Sequence, residues 1–250
     1  MIDSTFLILP LITVLSIFQT IAGTGILVLG TPILILIGYE MIQVMTILLP
    51  LSILNSLINL IYLNIHSHKI KIDKNIIKTF FLFCFPSIFF GLFFLKKFDY
   101  LINFNLLICF VIWIILLFSY LDKKKKIFSH IKFKPFMIAI TGFVHGLSNS
   151  GGSLLSLFII NTFNKKINYI RLHITFLYFF LALFHYLSII IIFDLIFVEK
   201  INLQNFLFVF LGVILGNLII DKINYKKFKS FVYLLAFVSS LFLLFKTQFF

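Results

Sequence analysis

Long unbroken apolar stretches alternate with short polar gaps along the whole chain. The apolar runs fall at about 5–21, 26–38, 41–62, 76–95, 101–120, 136–147, 153–163, 172–193, 203–220 and 229–248. A helix rises about 1.5 Å per residue, and the hydrocarbon core of a bilayer is about 30 Å thick. Runs of around 20 residues therefore predict helices that cross it. The runs 26–38, 136–147 and 153–163 reach only about 16–20 Å as helices, too little to cross comfortably. They adjoin Gly-rich breaks, Gly23-Thr24-Gly25 in one place and Asn149-Ser150-Gly151-Gly152 in the other. The pattern predicts an all-α integral membrane protein.

The pattern also repeats. The order of helix, Gly break, short helix and three long helices occurs over 1–121 and again over 136–250. Ser87-x-x-x-Gly91 matches Gly212-x-x-x-Gly216 at an offset of 125, and Lys97 matches Lys222 and Tyr100 matches Tyr225 at the same offset. Gly25 matches Gly152 at an offset of 127. Small residues of this kind let membrane helices approach closely. A tandem duplication is expected, with a first transmembrane repeat at 1–121, a basic linker at 122–135 and a second repeat at 136–250. The linker carries the run Lys123-Lys124-Lys125-Lys126.

Composition sharpens this reading. Apolar residues make up 62% of the 250 and charged ones 12%, about half the charged fraction of an average soluble domain. A soluble enzyme, a disordered chain and a collagen-like fibre are all excluded. The net charge is +13. Its carriers sit in gaps between apolar runs, not on an aromatic-studded basic face, so nucleic acid is not an expected partner. If each Gly-broken pair goes in and comes back, the basic residues of 62–78, 121–135, 162–171 and 222–229, 17 in all, share one side. Only Lys96, Lys97, Lys200 and Lys246 fall on the other. That bias predicts a cytoplasmic linker, both termini outside, and two halves of opposite orientation. The short helices are either re-entrant or fully crossing, since loop sidedness is the same in both cases. The first apolar run lacks a basic start and a cleavage motif, so it reads as a retained segment of a multi-pass protein of the cytoplasmic membrane. Cys84 and Cys109 lie inside apolar runs and read as packed thiols.

In this topology the two breaks sit at membrane depth, where irregular backbone survives only if protein buries it or it lines a watery cavity. A short helix is expected to start at Ile26 and another at Ser153. The first amides of a helix lack intrahelical partners and carry the positive end of its dipole. Two such ends converging from opposite halves would hold an anion without a tight ion pair. The expected substrate-binding residues are Gly23, Thr24, Gly25, His145, Asn149, Ser150, Gly151 and Gly152, with Ser148 and Ser153 adding neutral donors. Gln19, Thr20, Ser52, Asn55 and Asn59 either line the pathway or bond across helices. His185 and Tyr178 read as packing residues on a long apolar helix. His66-x-His68 lacks the further ligands a metal site needs. Asp194, Glu199 and Asp221 read as interfacial. No HExxH, GxSxG, Walker A or paired intramembrane carboxylates occur, so neither an enzyme nor a cofactor is expected, and energy must come from gradients.

These residues resemble the TauE/SafE family of membrane proteins, described as sulfite or organosulfonate exporters. That family carries a Gly-rich stretch near the start, followed by Pro, and repeats it in the second half. Here the first copy reads Ala22-Gly23-Thr24-Gly25 with Pro32 beyond, and the second runs from Gly142 through His145-Gly146 to Asn149-Ser150-Gly151-Gly152. Thr24 stands where a glycine is usual, and Ile159-Ile160 where the second proline would fall. The resemblance implies a secondary transporter exporting small anions such as sulfite or sulfur-containing organic acids. A non-transporting assembly or anchoring subunit is the alternative, and self-association into a homo-oligomer is left open.

Overall fold

The computed structural model describes residues 4–66, 72–98, 104–121, 133–163, 166–194 and 203–249. Within them the chain forms α1 (Ser4–Ala22), α2 (Ile26–Leu36), α3 (Met41–His66), α4 (Lys74–Phe98), α5 (Phe104–Leu121), α6 (Phe133–Ser148), α7 (Gly151–Thr162), α8 (Ile167–Phe193), α9 (Leu203–Ile220) and α10 (Tyr225–Phe249), with no strand among the described residues. Each apolar run has become one helix. Most helices extend past their apolar runs, as α3 does to His66, α8 from Ile167 and α10 from Tyr225. The sixth helix begins at Phe133, ahead of its apolar run, and α7 begins at Gly151 instead of Ser153. Ser150 already has helical dihedrals, and the Ser153 amide donates to the Ser150 carbonyl at 3.1 Å, so the first turn closes two residues early. The lysine run 123–126, with most of the expected linker, lies outside the described residues, as do His68, Tyr100, Glu199 and Lys200.

Why these helices suit a bilayer is visible on their outer faces. Phe90 on α4, Ile191 on α8 and Leu207 on α9 are 66%, 67% and 62% exposed. The opposite face of α4, at Phe80, Cys84, Ile88 and Leu92, is fully buried. A helix that is apolar on both faces needs lipid on one of them. Among the described residues, Met41–His66, Lys74–Phe98, Ile167–Phe193 and Tyr225–Leu244 are long and apolar enough to cross a membrane. The short helices are different. Every residue of α7 from Gly151 to Asn161 is buried, as are nearly all of α2. They form the centre, and the longer helices wrap them.

The packing pairs α4 with α6 and α1 with α9, places α3 along α8 and sets α5 along α10. Exchanging α1–α5 for α6–α10 returns the same set of pairs. Small residues permit the two closest crossings. A Cβ added to Gly91 would strike the Phe143 carbonyl oxygen, and one on Gly146 the Ile88 carbonyl oxygen. At the other crossing, Gly212 and Gly216 of α9 lie against Ser16 and Thr20 of α1. There the Ser16 hydroxyl donates to the Val209 carbonyl at 2.8 Å. Ser87, the remaining member of the small-residue pattern, turns away and bonds its own helix at the Phe83 carbonyl. Both cysteines are free and buried, and the Cys109 thiol donates to the Ser240 carbonyl at 3.0 Å.

Candidate functional site

The first break is a tight turn clamped by Gln19. Gly23 takes φ +81°, a conformation that costs little only without a Cβ. Gly25 is extended, and any Cβ there would strike the backbone nitrogen of Gln19. The Gln19 side chain accepts from the Ile26 amide at 3.1 Å, which caps the first amide of α2. The same oxygen accepts from Ser52 Oγ at 3.1 Å, while Gln19 Nε2 donates to the Ser52 carbonyl at 2.9 Å and to Ser56 Oγ at 3.0 Å. Every polar atom of this amide has a partner.

The second break turns at Asn149, which adopts φ 62°, a left-handed conformation that asparagine tolerates better than most residues. Its amide donates to the His145 carbonyl at 2.9 Å, and its Nδ2 donates across to Thr31 Oγ1 of α2 at 3.1 Å. The hydroxyls of Ser148, Ser150 and Ser153 bond backbone carbonyls of their own segment, at Val144, Ser148 and Ser150. The close approaches of Gly151 and Gly152 are to protein as well. A Cβ on Gly151 would strike the Thr141 carbonyl and the His145 side chain, and one on Gly152 would lie 2.5 Å from the Tyr178 ring.

The two breaks adjoin, though not end to end. Thr24 Oγ1 shares a 2.9 Å hydrogen bond with Ser156 Oγ, Gly152 lies against Thr24 and Val28, and Asn149 reaches Thr31. Numbers rise along α2 as they fall along α7, so the short helices overlap side by side in opposite directions. Each amino end rests against the other helix near its second turn. Ser156, absent from the expected set, supplies the central contact. The α8 helix closes the junction, because a Cβ on Gly23 would meet Ile174.

Beside this junction stands a group of polar side chains with no partner. His145 is fully buried at the end of α6, and its ring lies 4.7 Å from that of His185 and 6.2 Å from that of Tyr178, both on α8. Both nitrogens of each histidine and the Tyr178 hydroxyl make no hydrogen bond. Ser52 and the backbone of Leu27 and Gly25 lie beside that hydroxyl, and the backbone of Asn149 lies beside the His145 ring, without meeting hydrogen-bond geometry. Burying such groups unpaired costs about 1–3 kcal/mol each. Gln19 and His145 occupy corresponding places, because the left-handed residue of each break, Gly23 or Asn149, donates its amide to the carbonyl four residues earlier; this offset of 126 is one residue off the 127 that relates Gly25 to Gly152. One is completely bonded by the protein and the other is open.

His185 and Tyr178, read from sequence as packing residues, thus join His145. Nothing in their spacing pointed to α6, because the contact is between distant helices. Asn55 and Asn59 bond across helices, Asn55 Nδ2 to Ser16 Oγ at 2.5 Å and Asn59 Nδ2 to the Thr20 carbonyl at 3.4 Å. Arg171, counted from sequence among the loop cations, is buried inside α8 instead. His66 stacks on Tyr62 and bonds its carbonyl, and no metal-binding cluster occurs among the described residues.

Comparison with known families returns one match, to the family described as Sulfite exporter TauE/SafE, over residues 8–243. Neither the curated proteins nor the solved structures provide a match. The matched stretch contains all ten helices nearly whole, both breaks and the open polar group between them. This multi-pass helical membrane protein therefore belongs to the TauE/SafE family, a family of membrane transporters.

Proposed function

We propose that the protein is a secondary transporter that exports small anions, sulfite or sulfur-containing organic acids, across the cytoplasmic membrane. Family membership supports the transported class. The observation that carries the site is the set of orphaned polar atoms on His145, His185 and Tyr178, beside the amino ends of α2 and α7. A neutral imidazole offers one N–H donor, and a phenol offers one O–H. Together with helix-end amides they provide donors for an oxyanion without a fixed counter-charge. Gly23, Thr24, Gly25, Asn149, Ser150, Gly151 and Gly152 form the two turns that hold those helix ends. In this reading the glycines let the halves close on each other, and the side chains touch the anion.

The two halves, 1–121 and 136–250, act as inverted repeats that rock about this junction. The exchangeable pairing of the helices supports that reading, as does the one-sided distribution of loop lysines. Export follows from the electric field. An inside-negative potential favours outward movement of a monoanion by about 2.3 kcal/mol per 100 mV, nearly fiftyfold.

The test is sulfite flux in proteoliposomes under an imposed potassium diffusion potential. Flux should follow the sign of the potential and disappear in His145→Ala while the variant stays folded in the membrane. Failure of folded protein to move sulfite or any organosulfonate would overturn the assignment.

A further inference from the structure

Arg171 is the only arginine among the 21 basic side chains. It is the fifth residue of α8 and is 1% exposed. Its Nη2 donates to the Thr20 carbonyl at 2.8 Å, to Asn217 Oδ1 at 2.9 Å and to Asn59 Oδ1 at 3.4 Å. All three partners are neutral. The carboxylate of Asp221, just past the end of α9, offsets part of the charge from a distance, and none of the hydrogen bonds of Arg171 reaches it. A buried positive charge attracts an anion.

Two donors at this place are also unused. Arg171 Nε has no partner, and neither has the hydroxyl of Thr20, the residue whose carbonyl Arg171 holds. Both side chains are fully or almost fully buried. An oxyanion with two free oxygens offers an acceptor to each of these donors. A lysine in this position would supply a point charge without the planar fork.

Its location connects it to the junction. Arg171, Tyr178 and His185 recur every seventh residue, so they share one stripe of α8 about 21 Å long. Arg171 stands at the end of the stripe nearest the α7–α8 connection. Gly23, at the first break, lies against Ile174 and Thr175, one turn further along. We propose that Arg171 and Thr20 form a second anion-binding station, where a sulfonate- or sulfite-type oxyanion pauses before reaching the junction at Tyr178 and His145. The proposal rests on the reading that the protein carries anions. The competing role is a staple that uses Arg171 only to tie α1, α3 and α9 to α8.

A single arginine makes a chemical test direct. The full chain in liposomes is treated with phenylglyoxal, and adducts are located by mass spectrometry. Methanesulfonate is the probe, because sulfite itself adds to dicarbonyls. Arg171 should be labelled as the sole arginine adduct, and methanesulfonate at ten times its dissociation constant should slow labelling about tenfold. Dimethyl sulfone, its neutral analogue, should not slow it. Protection should vanish in Thr20→Val and persist in Asn217→Ala, which loosens the staple but keeps both donors. An inert Arg171, or labelling that methanesulfonate leaves unchanged, would overturn the station. Methanesulfonate flux in the same liposomes separates the two readings. Flux without protection removes the station and keeps the transporter, whereas protection without flux keeps the station and removes transport.

Discussion

At the scale of single residues, chemistry divides along what the protein leaves unbonded. Gln19 and His145 stand at matching places, yet the first has partners for every polar atom and the second has none. On the proposed function, removing Gln19 is expected to harm folding and removing His145 to harm binding. Gln19→Ala should lower the unfolding temperature in detergent, since it uncaps α2 and strands Ser52 and Ser56; each lost bond is worth about 1 kcal/mol. Tyr178→Phe keeps the ring that packs on Gly152 and deletes only the hydroxyl. It should leave the unfolding temperature unchanged or slightly raised and cut sulfite flux about tenfold or more, the worth of a hydrogen bond to a charged ligand. Unchanged flux in Tyr178→Phe would exclude the hydroxyl from the site. His145 was legible in the sequence because it sits one turn before a break. His185 and Tyr178 were not, because their meaning comes from α6, far away in the chain. Arg171 reads from sequence as a loop cation, because a charge near a helix start normally faces water, and the fold buries it instead. Its uniqueness among so many lysines was the signal.

At the scale of elements, the two short helices are legible from length alone, and so are their starting points to within two residues. The role of the break glycines was not. A Cβ on Gly25 meets the backbone of Gln19, which cannot move without unwinding α1. A Cβ on Gly152 meets the edge of the Tyr178 ring and the Thr24 methyl, which can shift. We therefore expect Gly25→Ala to fail to accumulate in the membrane, and Gly152→Ala to accumulate normally but transport poorly. Expression and flux, measured side by side, check both. Equal behaviour of the two variants would contradict this division. The α4–α6 crossing gives a third case. Gly146→Val should destabilise by about 1–3 kcal/mol through overpacking against the Ile88 carbonyl, read as earlier unfolding in detergent.

At the scale of the whole molecule, loop charge and helix pairing support one topology. A single cysteine placed at Lys124 should resist an impermeant thiol reagent added outside intact cells, and one placed at Lys97 should react. The native Cys84 and Cys109 are buried and add little background. Labelling at Lys124 from outside would reverse the assignment of sides and with it the direction in which the potential drives an anion.

Hydrophobic run length alone set the helical class, the order of the ten elements and the membrane as solvent, because a bilayer demands about 20 apolar residues per crossing and satisfied backbone throughout. Those constraints are local, so a linear pattern carries them. Tertiary structure alone decided that α2 and α7 lie side by side, that Gln19 is capped while His145 is open, and that Arg171 is buried. These are contacts between helices apart in the chain, within one half for Gln19 and His145 and across the halves for α2 with α7 and for Arg171 with Thr20. The bonding state of a polar atom depends on which neighbour the fold brings within about 3 Å, and spacing along the chain does not encode that neighbour.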